Sequence, residues 1–127
     1  MNADERRYDG VTERIIGCAY RVANTLGAGF LEKVYENALG IELRKAGLHV
    51  KQQWPIEVRY EGAVVGEYVA DLLVDDVVLI ELKAAKALDE IHKAQCINYL
   101  KASGLSVCLL LNFGAPKVQI QRIVFNL

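Results

Sequence analysis

The chain has 127 residues, of which 53% are hydrophobic and 24% charged, with 15 basic and 16 acidic side chains and a net charge of −1. That length and balance fit one globular domain over residues 1–127 and exclude collagen-like and disordered chains; no apolar run approaches the roughly 20 residues of a membrane span. Near-neutral charge also excludes a protein that coats nucleic acid through a generally basic surface, so any phosphate partner must be held locally. The opening "MNADERRYDG" is polar and lacks the apolar centre of a secretory signal, which predicts a cytoplasmic location. Cys18, Cys96 and Cys108 are odd in number and far apart, match no zinc or iron–sulfur spacing, and read as buried small hydrophobes in a reducing compartment.

Taken in chain order, Ile15, Cys18, Ala19, Val22 and Leu26 recur at helical spacing and predict a helix from Val11 to Leu26. "LGAGF" breaks it, because Gly27 and Gly29 permit a sharp turn. A second helix is predicted from Leu31 to Ala46, with Leu31, Val34, Ala38 and Ile41 as its apolar stripe and Gly47 as its stop. The period then changes to that of strands. "VKQQWPIEVRY", a turn at Glu61-Gly62, "AVVGEYVADLLV", a turn near Asp75-Asp76 and "VVLIELK" form an antiparallel meander. A third helix, Asp89 to Ala102, precedes "SVCLLLNF", an apolar run suited to a strand covered on both faces and paired in parallel with the one before the helix. "KVQIQRIVF" alternates as an edge strand. Both prolines, Pro55 and Pro116, are expected between elements. The resulting fold class is a mixed α/β domain with a central sheet of about five strands flanked by helices.

The stretch "ADLLVDDVVLIELKA" sets a problem, since two buried strands carry Asp71, Glu81 and Lys83, and a buried charge costs several kcal/mol unless it is paired or bound to a metal. Glu81 and Lys83 share one strand face, with Leu82 on the other. Asp71 joins them only if the hairpin loop has three residues or a bulge; a two-residue turn would leave it on the opposite face. Two carboxylates beside a lysine suit a hard, oxygen-liganded cation such as Mg²⁺. By itself, however, an E-x-K at a strand end is more often a surface salt bridge.

Further polar pairs lie on the helices. Gln95 and Tyr99 stand four apart on the third helix, with His92 three residues before Gln95, and Glu32 and Tyr35 stand three apart at the start of the second, whose dipole end favours an anion. Each has a bland reading: Gln95 solvated, the tyrosines core residues with a satisfied hydroxyl, and His92 an exposed helix residue.

The ordered set Glu32, Asp71, Glu81-Leu82-Lys83 and Gln95-x-x-x-Tyr99 resembles the PD-(D/E)XK nuclease superfamily, in its branch with a Q-x-x-x-Y helix. "GAGFLEKVYENAL" further resembles the G-x-x-E-x-x-Y motif of the small family named after it, at Gly29, Glu32 and Tyr35, and the likeness extends through "IHKAQCINYLKASG" and "VCLLLNFG". The resemblance implies a restriction-endonuclease-like fold and a nuclease cutting DNA by metal-activated water. It also implies Asp71 and Glu81 as metal ligands with Glu32 as a further acidic ligand, Mg²⁺ or Mn²⁺ as cofactor, Lys83 as the catalytic lysine, and Gln95 and Tyr99 as positioning groups. Glu32, Gln95 and Tyr99 should then line one pocket with Asp71, Glu81 and Lys83. Two other classes remain open, a noncatalytic nucleic-acid or protein binding module and a small-molecule phosphohydrolase. A chain this small offers DNA little surface, so a homodimer or a larger assembly is expected.

Overall fold

The computed structural model describes residues 3–127, so the first two residues of the polar N-terminal segment lie outside the described part. The elements run α1 (Ala3–Leu26), α2 (Glu32–Lys45), β1 (Val50–Tyr60), β2 (Ala63–Val74), β3 (Val78–Lys83), α3 (Glu90–Ser103), β4 (Val107–Asn112) and β5 (Gln119–Val124). The strands form one five-stranded sheet in the order β1-β2-β3-β4-β5, antiparallel except for the parallel β3–β4 pair that α3 connects. β5 is an edge, as its alternation predicts.

Helices cover both faces of the sheet. α1 and α2 bury Ile15, Val22, Leu39 and Leu43 against Leu72, Ile80, Leu82 and Leu109. On the other face α3 buries Cys96, Tyr99 and Leu100 against Ala70, Leu79, Cys108 and Leu110. β3 and β4 therefore feed both cores by alternation, which is why they read as continuous apolar runs. All three cysteines are buried and free, in agreement with the sequence reading.

Three expectations need correction. α1 begins eight residues before Val11, at Ala3: its first turns are polar and carry no apolar period, but Ala, Glu and Arg are good helix formers, and Asp9 pairs with Arg122 of β5. Three of the four residues in the stripe assigned to α2 face outward, with Leu31 81%, Val34 39% and Ile41 59% exposed and Ala38 half-buried against the core, while the buried side carries Tyr35, Glu36, Leu39, Gly40 and Leu43. Apolar spacing misassigns this helix because its buried side includes a charged residue, Glu36, held by hydrogen bonds, and a glycine, Gly40. Pro55 lies within β1, opposite Val69, where an edge strand tolerates a residue with no N–H.

One irregularity shapes the site. Val50 on β1 and Leu72 and Val74 on β2 face α1 and α2, whereas Ile56 and Ala70, also even-numbered, face α3. The inversion falls where Gln53 takes a left-handed backbone (φ 53°), between the Gln52–Leu72 and Trp54–Ala70 pairs and so alongside Asp71. The outer half of the hairpin thereby turns toward α3.

Candidate active site

The β2–β3 loop settles the register. Val74 pairs with Val78, Leu73 with Leu79 and Leu72 with Ile80, leaving a three-residue loop in which Asp75 and Asp76 both adopt positive φ. This is the loop length that sets Asp71 against Glu81, and at that point the backbone ladder gives way to side chains. The Asp71 N–H donates to Glu81 Oε1 (3.0 Å), and the Leu82 N–H donates to Asp71 Oδ2 (2.8 Å). The strands fork, and each carboxylate satisfies an amide that the ladder has released. Among the described residues, Asp71 Oδ1 and Glu81 Oε2 remain as acceptors without a protein donor.

The two acids strain against their surroundings. Burial, and then the Asp71 charge, push the Glu81 carboxyl up to about 8 from an ordinary 4.5. Asp71 is also raised, chiefly by burial and further by the charges of Glu36 and Glu32, against the lowering effects of the Leu82 N–H and Lys83. A carboxyl with a raised folded pKa retains a proton that the unfolded chain releases, so its contribution to stability is lost as pH rises through the folded value. Without metal, wild type is therefore expected to lose stability relative to Glu81→Gln as pH rises from about 4.5 to about 8. Denaturant midpoints of both proteins in chelator at pH 5 and pH 8 measure this; parallel pH dependences would show that Glu81 is not perturbed.

Lys83 reaches the fork from the end of β3. Its Nζ donates to Gln95 Oε1 (3.1 Å), and Gln95 Nε2 donates to the Tyr99 hydroxyl (3.0 Å), so Q-x-x-x-Y is one hydrogen-bonded relay along α3. Burial and then the Glu81 charge raise the Tyr99 hydroxyl, which keeps it a neutral partner. α3 is fixed by a capping box: Asp89 accepts from the N–H groups of Ile91 and His92, and His92 Nδ1 accepts from the Asp89 N–H. His92 thus caps the helix and contributes nothing to the fork.

Four residues that the motifs did not single out hold these groups in place. Asn112 at the end of β4 is fully buried and clasps the segment after Lys83, accepting from Ala85 N (2.9 Å) and Gly114 N (3.0 Å) and donating to Ala85 O (2.9 Å). Gly114 completes the clasp, since a Cβ there would lie 2.4 Å from Ala85 O. Gly114→Ala is therefore expected to cost about 1–3 kcal/mol as an overpacking change and to displace the Lys83 end of β3. A denaturation midpoint equal to wild type would contradict the close approach.

The other two are Glu36 and Gln53. Glu36 is only 3% exposed and accepts from Gln53 (2.7 Å), Gln52 (2.8 Å) and Lys33 (3.0 Å), anchoring the left-handed residue that inverts β1. Its charge acts on Asp71 more strongly than that of Glu32. Glu36 lies one turn beyond Glu32 on α2, and that spacing is the signal that marks it in the sequence.

The expectation of a single shared pocket is not met. Glu32 is exposed and lines a shallow depression with Phe30, Lys33, Ala84 and Lys86, while Gln95 and Tyr99 line a separate groove beside the hairpin. Among the described residues no three His, Cys, Asp or Glu side chains converge as a metal cage, so Glu32 does not join Asp71 and Glu81 in one. Tyr35 is a core residue. Its hydroxyl donates to Gly27 O and accepts from Phe30 N, and its ring stacks on Phe113 at 4.7 Å.

A mixed five-stranded sheet with helices on both faces, forked at an Asp–Glu pair and followed by a lysine on the same strand, defines an α/β domain of the restriction-endonuclease-like type. The chain belongs to the PD-(D/E)XK nuclease superfamily, whose family model matches residues 9–123. Two solved structures are similar in fold. One, the crystal structure of SSO0001, is 19% identical at a TM-score of 0.59, over 95% of this chain and 61% of the other. The second, an alkaline exonuclease from Laribacter hongkongensis, is 17% identical at a TM-score of 0.55, over 99% and 73%. The chain thus spans about three-fifths of the length of the first. No curated protein matches the sequence. Among the described residues no helix is long and apolar enough to cross a membrane.

Proposed function

We propose that this chain is a divalent-metal-dependent nuclease of the GxxExxY group that hydrolyses DNA phosphodiester bonds, with residues 1–127 working as one domain. The observation that carries the proposal is the Asp71–Glu81 fork. Two carboxylates are held side by side with one acceptor oxygen free on each, and their mutual repulsion and burial call for a cation. The donor set fits Mg²⁺ or Mn²⁺, since Mg²⁺ is commonly held by one or two carboxylates while waters and substrate phosphate complete its shell. In this reading Asp71 and Glu81 are the ligands, and Glu32 adds negative charge at the rim.

When bound, the ion supplies polarisation of the phosphate and a more acidic water. The chain supplies position and charge. Lys83, held by Gln95, places an ammonium beside the carboxylates, where it orients the attacking water and offsets charge developing on the phosphate. Gln95 and Tyr99 act through Lys83 as positioning residues. The proposal also carries a cytoplasmic location and assembly with a second copy or a larger complex, because one small chain covers little DNA.

The test is cleavage of labelled single- and double-stranded DNA with Mg²⁺, with Mn²⁺ and with chelator, alongside bis-p-nitrophenyl phosphate as a small diester. Metal-dependent DNA cleavage is expected. Hydrolysis of the small diester alone would favour the phosphohydrolase class, and no hydrolysis of either would favour the binding module.

A further inference from the structure

We infer that the groove between the β1–β2 hairpin and α3 leads one unpaired nucleic-acid strand into the Lys83 end of the site, with its bases stacked on Trp54 and Tyr68. The inference rests on the proposed nuclease function and adds the form of substrate. The groove holds about 1120 Å³, and Gln95 and Tyr99, which hold Lys83 through hydrogen bonds, form part of its wall.

The facing wall is aromatic and accessible. Tyr68 is 50% exposed, with its ring 5.6 Å from that of Tyr99, and Trp54 is half-buried two positions from Ile56, the strand partner of Tyr68. Both line this groove because of the inversion at Gln53, so the feature that seats Asp71 also turns the aromatic face of the hairpin toward α3.

Charge selects the occupant. Duplex binding draws its affinity from many phosphate contacts, yet the groove presents only Arg59 and Lys101 as cations, and Arg59 is paired with Glu57 at 2.7 Å. A single strand lays fewer phosphates along the groove, where Arg59 and Lys101 meet them, and stacking supplies the rest through base faces that are free only in a single strand or a frayed end. An aromatic groove of low charge beside a phosphodiester-cutting site therefore fits one unpaired strand.

Trp54 is the only tryptophan in the chain, so its fluorescence reports on the groove directly. The experiment titrates intact protein in chelator with dT12, rU12 and a 12-base-pair duplex, reading tryptophan quenching for wild type, Tyr68→Ala and Tyr68→Phe, with cleavage assayed in parallel. The expected result is quenching by the single strands and not by the duplex, with affinity about tenfold weaker in Tyr68→Ala and retained in Tyr68→Phe. The dT12 and rU12 arms separate DNA from RNA, and quenching by either supports the groove. Equal quenching by duplex, or unquenched Trp54 in a wild type that cleaves DNA, overturns the groove while leaving the nuclease reading intact. Single-strand quenching in a wild type that cleaves nothing overturns the nuclease reading and leaves the groove standing.

Discussion

Replacing Lys83 with alanine is expected to lower DNA cleavage by about 10²- to 10³-fold, the range typical for removing one preorganised group that stabilises transition-state charge, while Mn²⁺ affinity stays close to wild type. The split follows from the geometry. Lys83 bonds to Gln95 and supplies no ligand atom, so its loss leaves the forked carboxylates and their backbone donors in place. Lys83→Arg is expected to restore little activity, because a planar guanidinium does not reproduce a compact ammonium held by one amide oxygen. Binding calorimetry beside a cleavage assay checks both halves. A variant that loses metal binding together with activity would place Lys83 in the structure of the fork and not in its chemistry.

Changing a ligand should give the opposite pattern. Asp71→Asn and Glu81→Gln are expected to abolish cleavage and push Mn²⁺ binding beyond the millimolar range, while raising the stability of the metal-free protein at pH 8 and above by about 1 kcal/mol. Each substitution removes one of two mutually repelling buried charges but keeps an oxygen able to accept from Leu82 N or Asp71 N. The gain in stability sets this expectation apart from ordinary damage, since most substitutions of a buried residue lower the denaturation midpoint. A lowered midpoint in both variants would mean that the carboxylates act as structural pins.

Much of this site is legible in the sequence, for identifiable reasons. The meander and the parallel β3–β4 pair follow from strand alternation, and the requirement that Asp71 meet Glu81 limits the hairpin to a three-residue loop or a bulge, of which the backbone adopts the first. The Gln95–Tyr99 pair follows from helical spacing. What periodicity hides is polar burial. Glu36 and Asn112 lie inside because hydrogen bonds satisfy them, and a pattern that counts only apolar residues places Glu36 outside and Leu31, Val34 and Ile41 within. The inversion at Gln53 is invisible for a related reason, since a left-handed glutamine has no composition signal and depends on Glu36, 17 residues away. Glu32 shows the limit of motif order, which brings residues to a neighbourhood without fixing which pocket each one lines.

The most direct test of the metal site is the calorimetric heat of Mn²⁺ binding to wild type against Asp71→Ala at pH 8, with refolded secondary structure checked by circular dichroism. The site described here predicts saturable heat from wild type at submillimolar to millimolar Mn²⁺ and none from a folded Asp71→Ala. No heat from wild type, or equal heat from the two proteins, would contradict it.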